Sequence, residues 1–183
     1  MSTNKYLVIS DIHGALDGAQ LLLDAIGVHH PDMILCLGDI LYHGPRNDLP
    51  ASYAPKKVIP LMNSLKDQII AVRGNCEAEV DQMVLEFAVM GDYNILPWNN
   101  RRIFMSHGHI YGPDHLPSLK PGDVFLSGHT HIPTAYEKDG VYLLNPGSAS
   151  LPKGGHPCSY GLLDETGFTV YREDHTPYMH IDL

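Results

Sequence analysis

Apolar and polar positions along the first half of the chain follow a rhythm of short strands and helices. Residues 5–10 (KYLVIS) are an apolar run bounded by DIHG, the pattern of a buried strand. Leu16, Ala19, Leu23 and Ile26 follow at helical spacing, with Gly27 in place for a C-terminal cap. A second strand is expected at 33–37 (MILCL), ending at Gly38-Asp39. Gly44-Pro45, Pro50 and Pro55 mark 42–55 as a long loop, and a loop of that length without periodicity is often functional. A helix over 56–65 (with Pro60 as a local objection), a strand over 68–72 ending at Gly74-Asn75, and a helix over 77–87 complete this half.

The texture then changes. Strand-like runs at 93–96, 102–106, 124–127, 134–137, 141–145, 160–164 and 168–172 lie close together, several separated by turn signals such as Asp139-Gly140 and Glu165-Thr166-Gly167. A βαβ front half followed by a β-rich back half predicts two sheets with helices outside, in one domain over residues 1–183.

Composition narrows the function classes. Twelve basic against twenty-one acidic residues give a net charge of −9, which argues against coating nucleic acid or anionic membrane by bulk charge. The apolar run after Lys5 is too short for a signal peptide and no run is long enough to span a bilayer, so the cytoplasm is the expected location. Cys36, Cys76 and Cys158 are odd in number and widely spaced, a poor basis for a disulfide framework or zinc knuckle. The 12 histidines equal all Lys and Arg together. His29, His30, His156, His175 and His180 read as ordinary surface residues, but the others fall at particular places.

Those places are the carboxyl ends of successive expected strands: Asp11-Ile12-His13, Gly38-Asp39, Gly74-Asn75, Ser106-His107-Gly108 and Gly128-His129-Thr130-His131. Ligands of α/β sheets gather in the crevice beyond strand carboxyl ends, so segments far apart in sequence can converge there. Any one of these pieces is by itself a common turn or cap. Together, Asp11, His13, Asp39, Asn75, His107, His129 and His131 supply four imidazoles, two carboxylates and an amide oxygen. That mixed set suits Mn, Fe, Zn, Co or Ni better than Mg or Ca. Seven ligands exceed what one first-row cation takes, so two divalent ions are expected, and a carboxylate can bridge them.

The series D-x-H, G-D, G-N, H and G-H-x-H over residues 11–131 resembles the signature of the calcineurin-like metallophosphoesterases. More narrowly, HGPRN (43–47), RGNC (73–76), SHGH (106–109), GHTH (128–131), NPGS (145–148) and PKGG (152–155) resemble the bacterial YfcE-type phosphodiesterases across nearly the whole chain. The resemblance implies a four-layer α/β/β/α sandwich of two mixed sheets flanked by helices, a dinuclear site and action on phosphodiesters, often with manganese. It places Asp11, His13 and His131 on one ion, Asn75, His107 and His129 on the other, and Asp39 between them. A hydroxide shared by the two ions would then attack phosphorus in line. Neither a GxSxG elbow nor a P-loop competes with this reading.

The chain departs from the broader family at Cys76, where G-N-H-E carries a histidine thought to protonate the leaving oxygen; Glu77 follows as usual. A thiol is a doubtful substitute acid, so substrates with good leaving groups are expected to react best, unless Cys76 is merely a small filler. His109 is a second candidate acid. His43 and Arg46, on the long loop, are candidate substrate contacts, Arg46 through a phosphate oxygen. Arg73, just before Asn75, reads equally as a structural ion pair, and Lys153, followed by two glycines, offers a phosphate contact, with an ordinary turn the favoured reading. The expected partner is a small phosphodiester, with a homodimer or higher homo-oligomer as the plausible assembly. Alternatives on the same site are a phosphomonoesterase or cyclic-nucleotide phosphodiesterase, and, less favoured, a metal-binding scaffold for protein partners.

Overall fold

In the computed structural model, which describes residues 4–183, strand β1 (Tyr6–Ile9) is buried at every position. Its side chains alternate between two cores. Leu7 and Ile9 face a helical layer, whereas Tyr6 and Val8 face a second sheet. Helix α1 (Leu16–His29) leads to β2 (Met33–Cys36), which repeats the division: Ile34 and Cys36 point to the helices, Leu35 to the second sheet. A sheet covered on both faces needs no polar alternation, which is why these strands read as continuous apolar runs. Residues 1–3, part of the leader reading, lie outside the described residues.

Helix α2 (Pro55–Asn63) precedes β3 (Ile69–Ala71), and the short α3 (Glu79–Val84) follows it. The strands β4 (Tyr93–Trp98), β5 (Arg101–Ser106), β6 (Val124–Leu126), β7 (Thr134–Lys138) and β8 (Val141–Asn145) form the second sheet, in the order β4-β5-β6-β8-β7. Finally β9 (Ser159–Asp164), β10 (Gly167–Arg172) and β11 (Pro177–Ile181) return to the first sheet, giving β11-β10-β9-β1-β2-β3. Both sheets are mixed. β1, β2 and β3 run parallel, as do β5, β6 and β8, while β9 and β10 join antiparallel. The sheets pack face to face through Val8, Leu35, Leu37, Ile103, Met105, Val124, Leu126 and Leu144.

The layers differ in what covers them. α1 and α2 pack on the first sheet, joined by Leu85, Phe87 and Val89 from the segment after α3. The outer face of the second sheet (Phe104, Phe125, Val141 and Leu143) is covered by Tyr111, Leu116 and Leu119 from the non-helical segment between β5 and β6. The fourth layer is thus an irregular segment rather than a helix among the described residues.

Several element boundaries differ from the sequence reading. Gly27 is not the cap of α1: the helix runs on to His29, and His30 takes the left-handed conformation at φ 48°. The buried face is Gly18, Ala19, Leu21, Leu22 and Ala25, rotated from the expected Leu23 line. Pro60 stands inside α2 on its exposed side, where water can reach the carbonyl its missing N–H leaves free. The helix expected over 77–87 shrinks to six residues, because residues 75–78 are held by contacts to the loop after β2. β11 went unread because Pro177 and His180 dilute its pattern; it is an edge strand, where a proline costs no ladder bond. No helix among the described residues is long and apolar enough to cross a membrane.

Candidate metal centre

The loops that leave β1, β2, β3, β5 and β6 meet at one end of the two-sheet core. Asp11, His13, Asp39, His129 and His131 all take positive φ, between 51° and 66°. Left-handed backbone at a residue with a side chain costs about 1–3 kcal/mol and persists only where the surroundings impose it. Five such residues in one crevice mark it as the place where the fold accepts strain.

Three histidines are oriented alike. The Nδ1–H of His13 donates to the Tyr42 carbonyl at 2.8 Å, that of His107 to Leu37 at 2.7 Å and that of His131 to Leu151 at 2.5 Å. A carbonyl can only accept, so each Nδ1 carries the proton, and in the neutral ring each Nε2 turns a lone pair toward the centre. His129 faces inward through Nδ1, 3.3 Å from His107 Nε2, and Asn75 brings Oδ1 to 3.2 Å from the same nitrogen.

The carboxylates each spend one oxygen on support. Asp11 Oδ2 accepts the Ser10 hydroxyl at 2.6 Å and the His129 N–H at 3.0 Å, while its buried Oδ1 has no hydrogen-bond partner. That oxygen lies 3.2 Å from His131 Nε2 and 3.6 Å from His13 Nε2. Asp39 Oδ1 accepts the Cys76 N–H at 2.9 Å; its Oδ2 stands between His13 Nε2 at 3.7 Å and His107 Nε2 at 3.4 Å.

Acceptor atoms crowded this closely repel unless a proton or cation lies among them. Ligands about 2.1 Å from one tetrahedral cation stand roughly 3.0–3.5 Å from each other, close to the spacings seen here. Asp11, His13 and His131 form one group of metal-ligand spacing, and Asp11, Asp39 and His107 another. The residues fit two divalent cations. Were the cations removed, protons would neutralise the cluster. Burial works against charge on His107, but its hydrogen bond to Asp39 and the charges of Asp11 and Asp39 push it up to about 9. His13 is raised, against its burial, by the facing carboxylate of Asp11. Burial also opposes charge on Asp11, yet the adjoining imidazoles of His13 and His131 hold its carboxyl well below the usual range. His129 goes the other way, lowered to about 4 by burial and by the charge of His107.

A supporting shell, largely unread in the sequence, fixes these loops. The Glu77 carboxylate accepts the N–H groups of Asp39 at 2.8 Å, Ile40 at 2.7 Å and Gly74. The NPGS motif ties the other loops. Asn145 Nδ2 donates to the Gly128 carbonyl and Ser148 Oγ to the Asp11 carbonyl, each at 2.8 Å. Gly74 is glycine because a Cβ there would sit 2.1 Å from Asp39 Oδ1 and 2.5 Å from the Asp39 nitrogen.

A cavity of about 330 Å³ opens beside the cluster, lined by Asp39, Asn75, His129 and His131 and, at its mouth, by Arg46 and Lys153. Arg46 is therefore where a substrate contact was expected, and so is Lys153, for which a turn was the favoured reading over a phosphate contact. Cys76 lines the cavity too. Burial, then the charge and hydrogen bond of Asp39, push its thiol up. His43 does not line this cavity; its ring packs edge-on between Tyr42 and Tyr53, with centroids at 4.7 and 5.3 Å. His109 is also off the cavity, its ring 5.4 Å from that of His107, and burial followed by the charge of His107 lowers its pKa. Arg73 pairs with Asp92 at 2.7 Å.

Two face-packed mixed sheets with a buried His/Asp metal-binding site at their strand carboxyl ends define a metallophosphoesterase. The chain belongs to the calcineurin-like phosphoesterase superfamily, whose domain pattern matches residues 5–167. It is 44% identical over 166 residues to phosphodiesterase YfcE of Escherichia coli K12, covering 91% of this chain and 90% of that protein. The solved structure of YfcE, a phosphoesterase from E. coli, superposes with a TM-score of 0.95 at 41% identity, over 97% of this chain and 98% of the other. The zinc complex of Vps29 from Entamoeba histolytica shares the fold at a TM-score of 0.60 and 23% identity, over 97% and 98% of the two chains.

Proposed function

We propose that this chain hydrolyses small phosphodiesters at a centre of two divalent transition-metal cations, with manganese as the working metal. Asp11, His13 and His131 hold one cation, Asn75, His107 and His129 the other, and Asp39 lies between them. The observation that carries this reading is the set of inward-facing acceptors: Asp11 Oδ1, unpartnered though buried, beside the Nε2 atoms of His13 and His131. Kinship with a phosphodiesterase supports the substrate class.

When bound, such cations stabilise charge on phosphoryl oxygens and draw a nucleophile from water near neutral pH. The protein's own groups do the rest. Asp11 and Asp39 return two negative charges against four positive ones, leaving a cationic floor suited to a phosphodiester monoanion. Arg46 and Lys153 at the cavity mouth attract its non-bridging oxygens, Arg46 with a fork that matches them. The backbone clamps through Glu77, Asn145 and Ser148 hold the ligand loops still, so the site needs little reorganisation as charge develops. No side chain need act as a nucleophile.

The test is hydrolysis of bis-p-nitrophenyl phosphate by metal-stripped protein before and after addition of Mn²⁺. Activity restored by Mn²⁺ and lost in Asp39→Ala and His129→Ala supports the reading. Inactivity with Mn²⁺, Zn²⁺, Fe²⁺, Co²⁺ and Ni²⁺ alike overturns it. A parallel panel of mono-, di- and cyclic esters separates the diester from its alternatives.

A further inference from the structure

A second concavity, of about 360 Å³, lies on the far side of Cys76 from the phosphate cavity, between α2 and α3. Its walls are the side chains of Tyr42, Tyr53, Ile59, Val80 and Val84, and Cys76 lines both hollows. The dividing wall is thin: a Cβ added at Gly44, which lines the phosphate cavity, would come within 3.0 Å of the Cys76 sulfur. The rim leaves large apolar groups in water, with Val80 61% exposed, Tyr42 43% and Val84 36%. Of its two charged neighbours, Asp81 is already committed, accepting the Ala78 N–H at 2.8 Å, and Lys56 is exposed.

This apolar hollow is fixed to the centre by the long loop. The Ala54 N–H donates to the Gly14 carbonyl and the Gly14 N–H to the Ile40 carbonyl, both at 2.8 Å, and Tyr53 packs against Gly14 so closely that a Cβ there would lie 2.5 Å from its ring. Gly14 directly follows His13, so the pocket wall and the ligand loop are one piece of structure. A phosphoryl group seated in the first cavity would reach this surface by turning one ester substituent toward Cys76, the residue that lines both hollows. Beyond that residue lies an apolar surface of ligand-pocket size.

We infer that the hollow between α2 and α3 is the subsite for one ester group of the substrate, and that it selects a planar apolar group, such as an aryl ring, over a small alkyl or polar one. This rests on the phosphodiesterase reading. Burying a ring there removes both its own apolar surface and that of Val80, Val84 and Tyr42 from water, which favours an aryl over a methyl ester by about tenfold or more. Cys76, the residue common to both hollows, is small and weakly polar, so the barrier it makes between them is low.

The test compares diphenyl phosphate with dimethyl phosphate, both monoanions, by calorimetry on the Mn²⁺-loaded protein. The methyl resonances of Val80 and Val84 are followed by NMR. Expected are at least tenfold tighter binding of the diphenyl ester, shifts of those methyl signals with it alone, and loss of the preference in Val80→Asp and Val84→Asp with dimethyl phosphate binding unchanged. Both sites are partly exposed, so these variants should fold; thermal unfolding verifies it. Equal binding of the two esters in the native protein, or variants that keep the preference, overturns the subsite. Variants that convert a larger assembly to a smaller one by sedimentation would assign the hollow to a second copy and likewise overturn it. If bis-p-nitrophenyl phosphate is not hydrolysed while the diphenyl preference holds, the catalytic reading fails and the pocket stands; hydrolysis without preference gives the reverse.

Discussion

Glu77 and Asp39 meet through the backbone rather than through opposite charge: Glu77 Oε2 accepts the Asp39 N–H at 2.8 Å. Its other oxygen takes the Ile40 N–H at 2.7 Å, and Oε2 also takes that of Gly74, so one carboxylate ties the loop after β2 to the loop after β3. Burial, then the negative charge of Asp39, raises Glu77 to about 7, against the pull of these three donors. Glu77→Gln replaces one acceptor with an NH₂ group that must face a backbone N–H. The expected loss is about 1–3 kcal/mol of stability. Metal affinity should fall about 10–100-fold, as for other groups that orient ligands. Thermal unfolding of the metal-free protein and calorimetric titration with Mn²⁺ measure the two effects. Unchanged affinity would leave Glu77 with a folding role only.

Gly27 and Gly74 are expected to respond oppositely to alanine. Gly27 lies inside α1, and a Cβ there meets nothing within 4 Å. Gly27→Ala should therefore stabilise the protein by about 0.4–1 kcal/mol, chiefly by restricting the unfolded chain. At Gly74 the added carbon would lie 2.1 Å from Asp39 Oδ1 and 2.7 Å from Glu77 Oε2. Gly74→Ala should cost about 1–3 kcal/mol and displace Asp39 from between the two histidines. Denaturant midpoints decide both cases, and equal midpoints for the two variants would refute the contrast.

Metal uptake should release protons. The folded pKa of His13 lies above its usual value, and that of His107 at about 9, once the carboxylates Asp11 and Asp39 have overcome burial. A raised histidine pKa stabilises the metal-free fold fully below about pH 6.5, and that contribution fades as pH climbs through the folded value. A cation must displace those protons, so apparent Mn²⁺ affinity should rise between pH 6 and pH 9. Calorimetry at pH 7 in buffers of different ionisation enthalpy reads the number released. A binding enthalpy independent of buffer would exclude the proton-filled cluster.

Much of this architecture was legible in the chain because its strands are buried on both faces and its ligands sit at strand ends. YLVI and MILC carry no polar positions to blur their boundaries, and D-x-H, G-D and G-H-x-H follow directly on the strands that aim them. What stayed hidden depends on contacts between distant segments. Glu77 was visible as the last letter of G-N-x-E, but its three N–H partners lie in other loops. NPGS was visible as a motif, yet nothing local shows Ser148 bonded to the Asp11 carbonyl 137 residues away. His43 sat in a promising HGPRN run, but its ring packs against those of Tyr42 and Tyr53 and does not line the cavity beside the metal cluster. Lys153 looked like a turn residue and is at the cavity mouth, because its N–H is anchored on the His131 carbonyl at 3.2 Å.

The identity of residue 76 sets the expected dependence on leaving group. Cys76 lines the cavity beside Asn75, and burial with the charge of Asp39 pushes its thiol up. A group that holds its proton this tightly gives little help to a departing alkoxide. His109, the other candidate acid, lies outside the residues that line the cavity, and burial followed by the charge of His107 lowers its pKa, which weakens its hold on a proton. Hydrolysis should therefore slow steeply as the pKa of the departing alcohol rises, with aryl diesters far ahead of alkyl or nucleotide diesters. Rates for a series of substituted phenyl diesters, plotted against phenol pKa, give the slope. Cys76→Ser changes the side chain by one atom while altering its acidity and polarity. If the slope in that variant matches the native one, the thiol has no part in proton transfer and acts only as a small wall residue. If native protein cleaves alkyl and aryl diesters equally fast, another group supplies the proton and the reading of residue 76 fails.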